Sequence, residues 1–312
     1  KDPEEVRALL AGHGYEVIEV EGDDIPGMHE RFAAALTLAY GRIKEIQAAA
    51  RGGDWDGARP QWPLIVLRTP KGWTGPKEVD GQRTEGTWRS HQVPLAGVKD
   101  NQEHIDVLET WLRSYRPEEL FDESGAPTEL VRRANPEGDL RMSASPHANG
   151  GRVTVDLDIP DFRQYAADVP SPATVRMEST RKLGELMRDL YRDNGDRFRL
   201  FCPDETNSNR LGAVFEVSDR MFAEHVTPDD VSLSRDGRVM EVLSEHNCHG
   251  WLEGYTLTGR HGLFATYEAF AMVSASQTIQ HAKWLQEAEH LDWRAPVPSL
   301  NIRLTSTAWR ND

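Results

Sequence analysis

The chain has 312 residues, with 36 lysines and arginines against 51 aspartates and glutamates, a formal charge of −15. An acid excess of this size excludes binding driven by nucleic-acid phosphates or anionic lipid, which needs clustered Lys and Arg, but it leaves room for a small phosphorylated ligand held by a few local cations. Cys202 and Cys248 are too few for a disulfide framework or a four-ligand zinc site, and no apolar run approaches the roughly 20 residues of a membrane span. The opening Lys-Asp-Pro-Glu-Glu is neither a secretory nor a transit leader, so a cytoplasmic protein with free thiols is expected.

The length suggests two domains. Asp2-Pro3-Glu4-Glu5 reads as a helix start, an N-cap acid followed by Pro and two first-turn acids. Tyr15 to Val20 alternates as a strand, and Met28 to Ala50 is a long helical pattern stopped by Gly52-Gly53. Trp62 to Arg68 is a short, mostly apolar strand of the kind covered on both faces in parallel sheets. Helix, strand, helix, strand in this order points to α/β architecture. The long Gly- and Pro-rich stretch from Thr69 to Leu95 then occupies the place where α/β proteins put ligands, although a buried structural loop is the competing reading.

His104 to Arg113 is helical, and Pro117 to Pro170, rich in Pro, Gly, Asp and Ser, reads as an interdomain connector. Ser179 to Asn194 is a helix and Phe198 to Cys202 a strand, followed by the polar loop Pro203 to Arg210. Val239 to Thr258 reads as one mostly buried helix ended by Gly259, and Gly262 to Phe270 as an aromatic-rich turn. Met272 to Leu291 is a helix and Ser299 to Ser306 a final strand.

No dinucleotide fingerprint, P-loop, zinc-protease or nucleophile-elbow motif is present. Three polar groups remain. Lys71 and His91, with Arg89 near them, could neutralise anionic oxygen and move protons, or be ordinary surface residues. Ser208 and Arg210 suit a phosphate or carboxylate, or form an Asx-rich turn paired to a local acid. Glu245-His246, inside an otherwise apolar segment, is either a buried carboxylate poised for proton transfer or a Glu at a helix N-terminus.

The segment Leu243-Ser244-Glu245-His246-Asn247-Cys248-His249-Gly250-Trp251-Leu252-Glu253-Gly254-Tyr255, followed by Leu257-Thr258-Gly259-Arg260-His261-Gly262, resembles the phosphoketolases. These are thiamine-diphosphate enzymes related to transketolase. Arg68 to Pro76, Thr87 to Leu95, Ser145 to Gly151, Pro203 to Leu211 and Gln280 to Leu285 resemble the same family in the same order. The resemblance implies a thiamine-diphosphate-binding fold of two parallel-sheet α/β domains, both incomplete here. Residues 1–116 would be the back of the diphosphate-binding domain, 117–170 the connector, and 171–312 most of the pyrimidine-binding domain.

The implied reaction is cleavage of xylulose 5-phosphate, and in some members fructose 6-phosphate, by inorganic phosphate to acetyl phosphate and an aldose phosphate. The implied cofactors are thiamine diphosphate and Mg²⁺, and the implied assembly is a homodimer or larger. Glu245 would serve the aminopyrimidine ring, with Tyr267, Phe264 and Phe270 as the aromatic wall. His91 and Lys71 would act on the substrate, Ser208 and Arg210 would hold phosphate, and Tyr267 and His147 would complete the substrate site. The family's Gly-Asp-Gly opening for diphosphate and metal has no counterpart here, Gly22-Asp23-Asp24 resembling a later segment, and its His-Asn loop is also absent. The chain therefore reads as an interior portion of the family's length, inactive by itself. A transketolase-like transferase and a noncatalytic scaffold of the same fold are the competing readings.

Overall fold

The computed structural model describes residues 2–53, 55, 57–91, 93–142, 144–146 and 148–305. Contacts divide the chain into two units, Lys1–Asn135 and Pro136–Asp312, so the division falls inside the segment read as a connector.

The first unit opens with helix α1 (Pro3–Gly12), whose N-cap Asp2 accepts the Glu4 N–H, and strand β1 (Tyr15–Glu21). Helix α2 (Ile25–Gly52) is capped by Asp24, which accepts the Gly27 N–H at 2.8 Å, and is stopped by Gly53 in the left-handed region at φ +81°. Strand β2 (Trp62–Arg68) pairs in parallel with β1, from Tyr15 opposite Trp62 to Glu21 opposite Arg68. Val20, Met28 and Ala35 form the small core, with Ile18, Phe32, Ile65 and Trp73 packed on it. Trp62 and Leu67 stay exposed within this unit, so the double cover expected for β2 is not present among the described residues.

The long loop after β2 contains a two-residue hairpin, β3 (Glu78–Val79) with β4 (Gln82–Arg83), and a 3₁₀ turn at Trp88–Ser90. The Trp73 indole N–H donates to the Asp23 carbonyl at 2.8 Å, tying the loop to the start of α2. Helix α3 (Gln102–Ser114) follows. Its buried His104 accepts the Gly97 N–H on Nδ1, which leaves Nε2–H to donate to Asp80 at 3.1 Å. A short helix, α4 (Glu129–Ala134), closes the unit.

The second unit is a six-stranded, all-parallel sheet. Helix α5 (Ser179–Asn194) and β5 (Phe198–Cys202) lie where the periodicity puts them. They are followed by β6 (Arg220–Met221), β7 (Leu233–Ser234) and β8 (Val239–Glu241), then α6 (Glu245–Leu257), β9 (His261–Tyr267), α7 (Ala271–Glu289) and β10 (Asn301–Thr305). The strand order is β10-β9-β5-β8-β6-β7. The main core joins Met187, Leu190 and Tyr191 of α5 to Phe198 and Leu200 of β5, Val239 of β8 and Ala265 of β9.

Two expectations are corrected here. Residues 239–258 are not one helix. Val239–Glu241 is a strand between β5 and β6, and Ser244 caps α6 by accepting the Asn247 N–H. The apolar residues on either side of that cap happen to continue the helical period, which hid the break. The aromatic turn at 262–270 is mostly β9, an interior strand between β10 and β5 whose Phe264, Ala265 and Thr266 are fully buried. Gly262 belongs there because an added Cβ would lie 2.7 Å from the Leu252 side chain and 2.9 Å from the Arg199 carbonyl.

Part of the connector is built into this unit. The Val155 N–H donates to the Gly259 carbonyl at 2.9 Å, and His261 Nε2 lies 2.7 Å from the Val155 carbonyl. Asn194 brackets Asp158, accepting its N–H at 2.8 Å and donating to its carbonyl at 2.9 Å.

Candidate active site at the carboxyl end of the second sheet

From β5 the chain proceeds to strands on one side of it, ending with β8 beside it, and then crosses over to β9 on its other side and outward to β10. The crevice between the carboxyl ends of β5 and β9 is thus the topological switch point, where open parallel sheets bind ligands. The loop 203–211 lines it.

That loop is fixed from three directions. Glu241, at the end of β8, accepts the Thr206 N–H at 2.8 Å and the Thr206 hydroxyl at 2.6 Å, and its other oxygen takes Arg220 Nε at 2.7 Å. Buried Asn209 donates to the Glu205 carbonyl and to Cys202 Sγ and accepts the Thr305 hydroxyl from the end of β10. Gly184 of α5 lets the helix approach the main chain at Arg210 and Leu211.

On this frame Ser208 is half-buried and Arg210 exposed, with Arg210 in the left-handed region at φ +63°. Ser208 donates to Glu205 at 3.0 Å, and Arg210 Nε meets Glu178 at 3.2 Å while its Nη1 meets the Ser208 carbonyl at 3.2 Å. The local acid pairing weighed from the sequence is therefore present. Glu178 is itself held below its ordinary carboxylate value, by Arg181 first and Arg210 second. An incoming phosphate would have to displace Glu178, an exposed pair of modest strength.

Glu245 is the first residue of α6, half-buried, so the helix N-terminus reading describes its place; His246 beside it is exposed. Asp204, which sequence reasoning passed over, stands opposite. Its carboxyl accepts the Tyr267 N–H and lies by the Thr266 hydroxyl, and its Oδ2 is buried. Burial pushes this carboxyl up from its ordinary value and the charge of Glu245 adds to the rise, against the Tyr267 N–H and the Thr266 hydroxyl. An Asp placed directly after the Pro that ends a strand was the available signal.

Tyr267 and Phe270 form a tilted pair with centroids 6.1 Å apart, and Phe270 is exposed. Phe264 does not join them. It is 0% exposed, packed with Phe201, Cys248 and Leu252, so it supports the site from the core and presents no wall to a ligand. Its position in mid-strand, rather than on a turn, is the reason. His147 lies outside the described residues.

In the first unit Lys71 and His91 are both exposed, and their loop is drawn together around Ser90. The Ser90 hydroxyl is 3.1 Å from the Lys71 carbonyl, 2.7 Å from that of Thr84 and 3.0 Å from that of Thr87. Gly72, at φ +74°, is required, because a Cβ would come within 2.5 Å of Ser90 Cβ. Lys71 and His91 thus share one clasped loop surface.

The residues of the second unit suit a flat, polar ring at the switch point. The Glu245 and Asp204 carboxyls offer polar groups, and Tyr267 and Phe270 an aromatic edge. Among the described residues no group of three or more His, Cys, Asp or Glu could hold a metal ion, and no helix is long and apolar enough to cross a membrane.

An all-parallel α/β unit with a polar crevice at its switch point defines the general class of the protein. A family model described as D-xylulose 5-phosphate/D-fructose 6-phosphate phosphoketolase matches residues 181–312, and the model of that family's N-terminal domain matches residues 1–153. The chain belongs to the phosphoketolase family. It is 58% identical over 308 residues to a "Probable phosphoketolase" of Mycolicibacterium paratuberculosis, covering 99% of this chain and 38% of the relative. It is 55% identical over 310 residues to one of Bradyrhizobium diazoefficiens, covering 99% and 39%. The chain thus spans about two fifths of the length of these relatives. A solved transketolase from Campylobacter jejuni aligns over 90% of this chain and 36% of its own, with 16% identity and a TM-score of 0.39, a likeness too slight to carry inference.

Proposed function

We propose that the chain is the part of a phosphoketolase that presents the pyrimidine side of a thiamine diphosphate site, for cleavage of xylulose 5-phosphate, and in some cases fructose 6-phosphate, by inorganic phosphate. What chiefly supports this is the coincidence of the family match with the gathering of Glu245, Asp204, Tyr267 and Phe270 at the switch point of the second sheet. The first unit is then of the diphosphate-binding type and the second of the pyrimidine-binding type.

Bound thiamine diphosphate would supply a carbanion nucleophile and an electron sink, with Mg²⁺ holding its diphosphate. Glu245 would hydrogen-bond the pyrimidine ring from the start of α6, and Asp204 would stand beside it as a second carboxyl group. Tyr267 and Phe270 exclude water from one edge. Arg210 and Ser208 bind phosphate once Glu178 is displaced, and Lys71 and His91 neutralise and protonate the sugar oxygens. No segment here resembles the family's diphosphate and metal anchor, so the 312 residues alone are inactive and the cofactor site is completed by residues outside them, in a homodimer of a cytoplasmic enzyme.

The test is acetyl phosphate formation from xylulose 5-phosphate and inorganic phosphate with thiamine diphosphate and Mg²⁺, comparing this chain with the product of the whole open reading frame that encodes it. Activity confined to the longer product is expected. Activity of the 312-residue chain would overturn its inactivity, and transfer to an aldose acceptor without acetyl phosphate would replace the reaction by a transketolase-like one. Absence of either product from the longer protein would leave a scaffold of this fold.

A further inference from the structure

Beside the interior strands of the second sheet, toward the amino ends of β5 and β9, lies a cavity of about 480 Å³, within the size range of small-molecule sites. Its walls include Arg199, Met240, Trp251, Tyr255 and Arg260, with Asp196 at the rim. Its walls run along β5 from Arg199 to Phe201, and Arg210 belongs to the loop beyond the end of that strand.

Arg199 and Arg260 are the two cations in these walls. In a protein of charge −15, neither forms an ion pair among the described residues. Arg199 Nε is buried with no hydrogen-bond partner, while the rest of its guanidinium reaches the Met240 sulfur at 3.6 Å and the Tyr255 side chain. A guanidinium N–H left unsatisfied away from water costs free energy and calls for a ligand, ion or water. Arg260 is exposed and donates to the Thr258 hydroxyl at 3.1 Å. Both guanidinium groups lie against the Tyr255 ring, at 5.6 and 5.8 Å from its centroid, so two like charges are drawn to one place. Tyr255 is pinned there by donating to the Asp196 carbonyl. Trp251, 43% exposed, offers a flat apolar face next to them.

Two cations without an ion pair, one of them with a buried unsatisfied N–H, beside an aromatic face match a dianionic head group on a less polar body. We propose that this cavity binds a phosphate monoester, its phosphoryl oxygens taken by Arg199 and Arg260 and its organic part laid on Trp251. Arg199 is fixed in the sheet, whereas Arg260 can swing on its exposed side chain to close the second contact. Among the described residues Asp196 is the only acid lining the cavity, against two arginines.

The test is calorimetric titration of the 312-residue chain with AMP and with ribose 5-phosphate. Arg199→Gln and Arg260→Gln are the cavity variants, and Arg210→Gln disables the crevice at the other end. Binding of both probes is expected, weakened about tenfold or more by either cavity substitution and within about twofold of the original in Arg210→Gln. Arg260 is at the surface, so its variant keeps the fold even if the Arg199 variant does not, and far-UV circular dichroism checks this. Absence of binding up to about 10 mM of either probe would overturn the proposal. So would binding that survives in Arg260→Gln and disappears in Arg210→Gln, which would assign it to the crevice alone.

Discussion

Gly184→Ala sets two effects of opposite sign against each other. Gly184 lies within α5, where alanine is preferred to glycine by about 1 kcal/mol, so helix propensity alone predicts a more stable protein. A Cβ at this position, however, would stand 2.9 Å from the Arg210 carbonyl oxygen and 3.2 Å from Leu211 Cα. These are main-chain atoms of a loop that cannot easily retreat. Leu211 is fully buried and its N–H donates to the Thr206 carbonyl, while Thr206 is clamped by Glu241 and Asn209 by the end of β10. Overpacking of this kind costs about 1–3 kcal/mol, and rigid backbone puts the cost in the upper part of that range. The net expectation is a loss of about 1–2 kcal/mol. In urea, with a slope of about 2 kcal/mol/M, the unfolding midpoint should fall by about 0.5–1 M at unchanged slope. An unchanged or raised midpoint would show that the loop yields freely, and would refute the rigid cradle described for Ser208 and Arg210.

Other outcomes follow from single contacts. Glu241→Ala leaves Arg220 and Thr206 without their shared acceptor at a site where the charged side chains are only 16–18% exposed, and should cost about 3 kcal/mol in chemical denaturation. Asp189, 18% exposed, is held far below the ordinary carboxylate range by Arg188 first, against the cost of burial, with Tyr165 and Arg192 adding to it. Its folded pKa lies under the unfolded one, so its contribution is complete above about pH 4 and is lost as pH falls from there. Asp189→Asn should therefore be less stable than the original at pH 6, with the gap narrowing toward pH 3 in matched urea melts; a constant gap would reject the assignment. Both cysteines are fully buried, and burial pushes the Cys248 thiol up to about 12 and Cys202 higher. Neither should react with iodoacetamide at pH 8 until urea unfolds the chain, as mass spectrometry would report.

The elements with one period and a clear cap were legible in the sequence. Asp2-Pro3, Gly53 and the amphipathic run of α5 each mark structure that is present, because local chemistry and tertiary packing agree there. The boundary between β8 and α6 was not legible, since apolar residues stay in helical phase across Ser244 and only pairing with β5 makes Val239–Glu241 a strand. Phe264 misled for the same reason. Its residue type fits a ring-stacking wall, and its burial follows from β9 being an interior strand, which depends on contacts distant in sequence. Asp204 could be found only from the fold, because the crossover that brings β9 beside β5 is what places Tyr267 against it.

The strap formed by residues 149–158 has a consequence for how such a gene can be cut and rejoined. Asn149 holds the main chain at Trp293 and Ala295, while Val155 and Asp158 satisfy polar groups of Gly259, His261 and Asn194. A recombination point placed after this strap, for example just before α5, would part the sheet from hydrogen bonds it does not replace and leave Asn194, 2% exposed, with the Leu190 carbonyl but without both of its bonds to Asp158. A point near residue 136 carries the strap along with the sheet. The exchangeable module is therefore longer than its regular secondary structure, and chimeras among relatives should tolerate joints upstream of the strap and reject those within or after it.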